Sequence, residues 1–178
     1  MVRKTPVFKK IGIYSSLEAR KVRHISDQLE EILNNMNLEV YIPDSFKSYK
    51  TKFGKYCSDE LLTKKVDLLI AIGGDGTLLG AGRKYHEYDL PIMGINMGTV
   101  GFLTEVTVSN FEEAILSILK GDYFIEERSL ISASFENKVV YALNEIVIHS
   151  GSYTQLMRYK LDVNSKAVYE KRSDGLII

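Results

Sequence analysis

Cysteine is almost absent from this chain: Cys57 stands alone among 178 residues, so no internal disulfide can form. A lone thiol fits a reducing compartment. Net charge is missing too, with 23 Lys and Arg balancing 23 Asp and Glu. That balance argues against a dedicated binder of nucleic acid or anionic membrane, although a local basic patch around phosphates stays open. The first ten residues hold no apolar h-region of a signal peptide. No run of about 18 apolar residues occurs anywhere, so no membrane-spanning helix is expected and the default location is the cytoplasm. His24, His86 and His149 are scattered without metal-ligand spacing, and no metal ligands are assigned. Internal repeats and low-complexity segments are also lacking.

What is present is apolar content: 45% of the residues are hydrophobic, enough to bury a core. The length suits one large domain, or one domain plus a fragment of another. Residues 10–15 read as a short strand, and Ser15 precedes Glu18 by three, a capping-box spacing. Val22, Ile25, Leu29, Ile32, Leu33 and Met36 then follow helical period. Residues 38–42 predict a second strand, and 59–65 a short helix. The run Val66-Asp-Leu-Leu-Ile-Ala-Ile is nearly continuous in apolar residues, as in a strand buried on both faces of a parallel sheet. A helix over about 77–87, a buried strand over 91–96 and a helix over 110–120 follow. Past residue 122 the period changes, and strands are expected over 130–135, 138–143, 145–149 and 157–163, with another near Val168. The predicted fold class is therefore α/β: a Rossmann-like domain over 1–121, then the start of a β-rich domain over 122–178. The apolar, strand-like end Gly175-Leu-Ile-Ile suggests a truncated piece of a longer protein.

The informative motif is Gly73-Gly-Asp-Gly-Thr, where an apolar strand meets a helix. Open α/β sheets bind ligands at the carboxyl ends of their strands. Glycines let backbone N–H groups approach a phosphate, and a helix N-terminus adds partial positive charge. Two standard phosphate loops are absent. A dinucleotide fingerprint starting at Gly74 and Gly76 would need glycine where Leu79 stands, and no G-x-x-x-x-G-K-[ST] occurs. Asp75 is the anomaly, because a carboxylate repels phosphate. It could take a proton from an attacking hydroxyl or hold Mg²⁺. It could equally be an ordinary turn residue, with Asp75 or Thr77 capping the next helix. Arg83 could reach a phosphate or be a solvated helix residue.

The loop Gly73 to Thr77 resembles the signature of NAD kinases, and is similar to loops of diacylglycerol and sphingosine-type lipid kinases and of phosphofructokinases. Three further segments resemble NAD kinases specifically: Gly94-Ile-Asn-Met-Gly-Thr-Val-Gly-Phe-Leu-Thr, the stretch Leu143 to Ile146, and Arg172-Ser-Asp-Gly-Leu-Ile-Ile. They occur in the family's order across residues 66–178. The resemblance implies a β-sandwich as the second domain. It implies transfer of phosphate from ATP or polyphosphate to the adenosine ribose 2′-hydroxyl of NAD, assisted by Mg²⁺, in a homo-oligomer that engages nucleotides and neither nucleic acid nor membrane. It makes Asp75 the catalytic base, with Gly73, Gly74, Gly76 and Thr77 around the nucleotide. Asn144 and Glu145 would hold a ribose of NAD, with Gln155, Arg172 and Asp174 lining the same site. The family's next Thr/Ser/Gly-rich loop does not occur within these residues, so residues 1–178 alone are not expected to form NADP. The alternatives are a lipid kinase of the same loop type and a non-catalytic nucleotide-binding module.

Overall fold

Strand β4 (Leu68–Gly73) is buried along its whole length. Such a strand needs apolar layers on both of its faces, and the chain supplies them. The computed structural model describes residues 7–98, 101–151 and 156–178. They divide into two compact units, Met1–Glu127 and Arg128–Ile178.

The first unit is built on β1 (Lys10–Tyr14), β2 (Glu39–Pro43), β3 (Lys55–Cys57), β4, β5 (Ile92–Asn96) and β6 (Val106–Thr107). These form one sheet in the order β3-β2-β1-β4-β5-β6, with every pairing parallel. That order reverses direction between β1 and β4, the switch point at which doubly wound sheets bind ligands. Helices α1 (Ala19–Asn35), α2 (Asp59–Lys65), α3 (Asp75–Tyr85) and α4 (Phe111–Leu119) complete the unit.

Alternation along the strands sorts the core into two layers. Ile11, Ile13, Leu68, Ile70 and Ile72 pack with Val22, Ile25, Leu29 and Leu33 of α1 and with Phe111, Ile115 and Leu119 of α4. Leu69 and Ala71 pack instead with Leu62 of α2 and with Ala81 and Tyr85 of α3. The continuous apolar run is thus two interleaved faces. Truncating a fully buried residue such as Ile70 or Leu69 would cost about 2–5 kcal/mol.

The polar stretch 45–57, left open by the sequence, is a 3₁₀ turn (Asp44–Phe46), a loop and β3. It is moored to α1. The buried Glu30 carboxylate accepts the Thr51 hydroxyl and the Lys52 N–H (2.7 Å), and the Tyr49 hydroxyl donates to Asp27 (2.9 Å). One local expectation fails. Glu18 is the N-cap of α1 without a side-chain bond, and the capping box is not formed. The Ser15 hydroxyl instead donates to the Ile72 carbonyl (2.6 Å) and accepts the Leu17 N–H (3.0 Å), tying the end of β1 to β4.

Among the described residues the second unit contains six strands in three antiparallel pairs: β7 (Ile131–Phe135) with β8 (Lys138–Ala142), β9 (Val147–His149) with β12 (Gly175–Ile177), and β10 (Met157–Val163) with β11 (Lys166–Ser173). This is the antiparallel material with which a β-sandwich begins. Asn164 and Ser165 have positive φ (51° and 63°), the requirement of a two-residue I′ turn between β10 and β11.

Candidate functional site

Gly73 closes β4 opposite Asn96 at the end of β5, so the two Gly-rich loops leave the sheet side by side. The Met97 N–H donates to the Gly73 carbonyl (2.8 Å) and joins them. A side chain on Gly73 would run into Thr77, which is why the turn can be this tight. Neither Asp75 nor Thr77 caps α3. The N-cap is Gly74, whose carbonyl accepts the Thr77 N–H (2.9 Å) and the Leu78 N–H (3.2 Å). Asp75 and Gly76 occupy the first turn, where backbone N–H groups have no partner in their own helix and the dipole favours an anion. Across the switch point, the hydroxyls of Ser16 and Thr77 lie 2.8 Å apart. The buried Thr77 therefore bridges the loops after β1 and β4.

Asp75 is spent on the second loop rather than on its own helix. The Phe102 N–H donates to Oδ2 (2.8 Å), the Leu103 N–H is shared by both oxygens (3.3 Å each), and the Thr104 hydroxyl donates to Oδ1 (2.8 Å). The Thr104 bond first, helped by the backbone N–H groups and against some desolvation, holds the Asp75 carboxyl below the usual carboxylate range. A Cβ on Gly101 would overlap that carboxylate, so glycine is required there for Asp75 to reach its seat. Gly74 and Gly76 are different, because a Cβ at either would meet nothing within 4 Å. Packing does not explain them. Beside this surface the Phe102 ring is 101% exposed, an unusual place for a large apolar side chain.

In the second unit, Asn144 and Glu145 are exposed in the bend before β9. Just beyond them, Ile146 and Ile178 exchange two backbone hydrogen bonds (2.8 and 3.0 Å), extending the β9–β12 ladder. Asp174 lies at the other end of that ladder, where its carbonyl accepts the Ser150 N–H (3.4 Å). The step from Glu145 to Ser150 is five residues, roughly 17 Å of strand. The ladder thus keeps the Asn144–Glu145 pair and Asp174 apart. Arg172 is exposed near the end of β11, opposite Arg158, and among the described residues no ion pair joins it to Asp174. Gln155 lies outside the described residues. Arg83 is exposed in the last turn of α3, away from the loop at that helix's start.

Two residues of this constellation escape sequence reasoning, Asn96 and Thr104. Both are nearly fully buried, at 3% and 1% exposure. The available signal was a pair of polar residues at the ends of an otherwise apolar strand and loop. Among the described residues, no group of three His, Cys, Asp or Glu side chains is placed to hold a metal ion. The Asp75 oxygens are already occupied by N–H and O–H donors, so these side chains do not by themselves build a magnesium site. No helix of the described residues is long and apolar enough to cross a membrane.

A doubly wound sheet, a Gly-rich loop beside its switch point, a second such loop after the next strand and a carboxylate at a helix N-terminus define an α/β domain of the class that binds ligands at its strand ends. The particular family follows from comparison with known proteins: residues 13–123 match the ATP-NAD kinase N-terminal domain, and the chain belongs to the NAD kinase family. It is 37% identical over 177 residues to an NAD kinase of Marinobacter nauticus, covering 96% of this chain and 60% of that protein. It is 31% identical over 169 residues to an NAD kinase of Methanothermobacter thermautotrophicus, covering 95% and 59%. The chain therefore spans about 60% of the length of these curated relatives. Among solved structures, an NAD kinase from Archaeoglobus fulgidus in complex with ATP aligns with a TM-score of 0.71 at 26% identity, covering 94% of this chain and 59% of that one. Yeast NADH kinase complexed with NADH shares the fold, with a TM-score of 0.79 at 17% identity, covering 98% of this chain and 54% of that one.

Proposed function

We propose that this chain carries the catalytic loop and part of the dinucleotide site of an NAD kinase, which transfers the terminal phosphate of ATP or polyphosphate to the adenosine ribose 2′-hydroxyl of NAD. The observation that carries this reading is the Asp75 carboxylate, set at the start of α3 between two Gly-rich loops. A helix N-terminus alone would serve a phosphate. The added carboxylate serves a hydroxyl that must lose a proton as it attacks. Gly74 and Gly76 form the floor on which the nucleotide lies, with no side chain at either to hold it off, and the buried Gly73 and Thr77 support that floor from beneath. The exposed Phe102 ring offers a stacking face for a base.

Asn144 and Glu145 suit a ribose diol, since a carboxylate accepts two O–H bonds while an amide both donates and accepts. Arg172 brings a guanidinium fork for phosphate, and Asp174 and Gln155 further polar contacts to the dinucleotide. The separation of Glu145 from Asp174 along their ladder suits contacts to different parts of an elongated ligand. Residues 122–178 are then the beginning of the NAD-binding domain, and the whole protein is a cytoplasmic homo-oligomer. Catalysis rests on positioning and on charge arrangement around the transferred group. Magnesium, expected from the resemblance, finds no seat built by these side chains; it commonly binds through substrate phosphates and water.

The test offers competing acceptors to the natural full-length polypeptide, with ATP labelled at its terminal phosphate. Label is expected in NADP and not in phosphatidic acid when NAD and diacylglycerol vesicles are both present. Label in the lipid would favour the lipid kinase reading, and calorimetric binding of NAD and ATP without transfer would favour a binding module.

A further inference from the structure

We propose that Thr104 is a positioning residue for Asp75: its hydroxyl, oriented by Asn96, fixes the carboxylate against the second Gly-rich loop. The inference rests on the base role proposed for Asp75.

The Gly98 N–H donates to Asn96 Oδ1 (2.8 Å), which settles which way the Asn96 amide points. Its Nδ2 then donates to Thr104 Oγ1 (2.7 Å). A hydroxyl that accepts this bond still has one proton to give, and it goes to Asp75 Oδ1 at 2.8 Å. The chain of bonds therefore runs in one direction, from Gly98 through Asn96 and Thr104 to the carboxylate. Burying two polar side chains is unfavourable unless both are bonded, and both are. The backbone makes room for them. A Cβ on Gly94 would meet Thr104 Cγ2 at 2.6 Å, and one on Gly101 would displace the Asp75 carboxylate.

A carboxylate offers about four lone-pair positions. The Phe102 N–H donates to Oδ2, the Leu103 N–H is shared by both oxygens, and the Thr104 hydroxyl donates to Oδ1, so each oxygen is held by the second Gly-rich loop. Because Thr104 can only donate here, it favours the ionised form of Asp75, and its bond is the largest influence holding that carboxyl down. The outcome is a carboxylate that is ionised and held in one orientation at the start of α3.

Thr104→Val removes the O–H and keeps the shape, and Thr104→Ser keeps the O–H. The first readout is the titration of the Asp75 side-chain carboxyl by carbon-detected NMR in the 178-residue chain. The second is the pH profile of kcat in the full-length polypeptide. In Thr104→Val the carboxyl should titrate at higher pH, kcat should fall about tenfold with KM for NAD within about twofold, and the acid limb should move to higher pH. Thr104→Ser should restore all three. A folded Thr104→Val chain with an unmoved carboxyl titration overturns the proposal. A moved titration with an unmoved kcat profile upholds the Thr104–Asp75 link and defeats the base role beneath it. Should Thr104→Val not fold, the unaltered chain carries the test. The Thr104 methyl resonance should follow the Asp75 titration with a single midpoint, and a methyl blind to that titration overturns the proposal.

Discussion

Replacing Gly76 by alanine should move stability and ligand binding in opposite directions. Gly76 is an exposed residue in the first turn of α3, with helical backbone. A Cβ there meets no atom within 4 Å, so the protein itself sets no steric cost. Alanine in a helix is favoured over glycine by about 0.5–1 kcal/mol, chiefly because the unfolded chain loses less freedom. The first turn realises the lower part of that range. An ordinary surface glycine would show this gain and nothing else. If the open face of the loop is where the dinucleotide lies, the added methyl takes space the ligand needs, and Kd for NAD should rise about tenfold or more. Urea unfolding at fixed pH reads the first effect, and calorimetric titration with NAD in the full-length polypeptide reads the second. A stabilised variant that binds NAD as well as the parent would refute the placement of the ligand over this loop.

Glu145→Gln should raise KM for NAD about tenfold or more with a smaller change in kcat, because a hydrogen bond from a ribose hydroxyl to a charged group weakens when the charge goes; an unchanged KM with the fold intact would return Asn144 and Glu145 to the role of surface residues. Asp59 should behave as a structural hub, since it accepts the Ser45 hydroxyl (2.7 Å), the Lys84 ammonium (2.5 Å) and the Tyr85 hydroxyl (2.8 Å). Burial pushes its carboxyl up, but these bonds outweigh burial and hold it below the ordinary range. A depressed carboxyl contributes stability that is present at neutral pH and lost as pH falls through the folded value. Asp59→Asn should therefore cost about 1–2 kcal/mol in urea unfolding at neutral pH, with the gap to the parent closing toward pH 3; a gap that stays constant with pH would contradict this.

The α/β half was legible in the sequence where burial is continuous. The apolar run ending at Gly73 announces itself because both faces are covered, and the partly buried strand ending at Asn96 because its apolar residues run up to a Gly-rich loop. The three-residue strand β3 did not, since Lys55 and Tyr56 are exposed at the sheet edge and carry no apolar period. Two helix starts differ from the sequence expectation, each for its own reason. Ser15 and Glu18 have capping-box spacing, yet the Ser15 hydroxyl is drawn 57 residues along the chain to Ile72. Helix α3 begins at Asp75, two residues before the expected start, because Gly74 serves as its cap. Asp75 was legible as an anomaly of charge. Its partners Thr104 and Asn96 were not, because a donor 29 residues away becomes a neighbour only once β5 lies beside β4.

The most direct measurement is kcat for NADP formation by Asp75→Asn in the full-length polypeptide, compared with the parent at saturating ATP. The amide keeps the shape and removes the basicity, and its Nδ2 must also confront one of the donors that now face the carboxylate. Loss of a positioned base predicts a fall in kcat on the order of 10²–10⁴-fold, with KM for NAD changed far less. Turnover at the parent's rate in a folded Asp75→Asn protein would contradict the account, leaving the carboxylate as a clasp between two loops and no more.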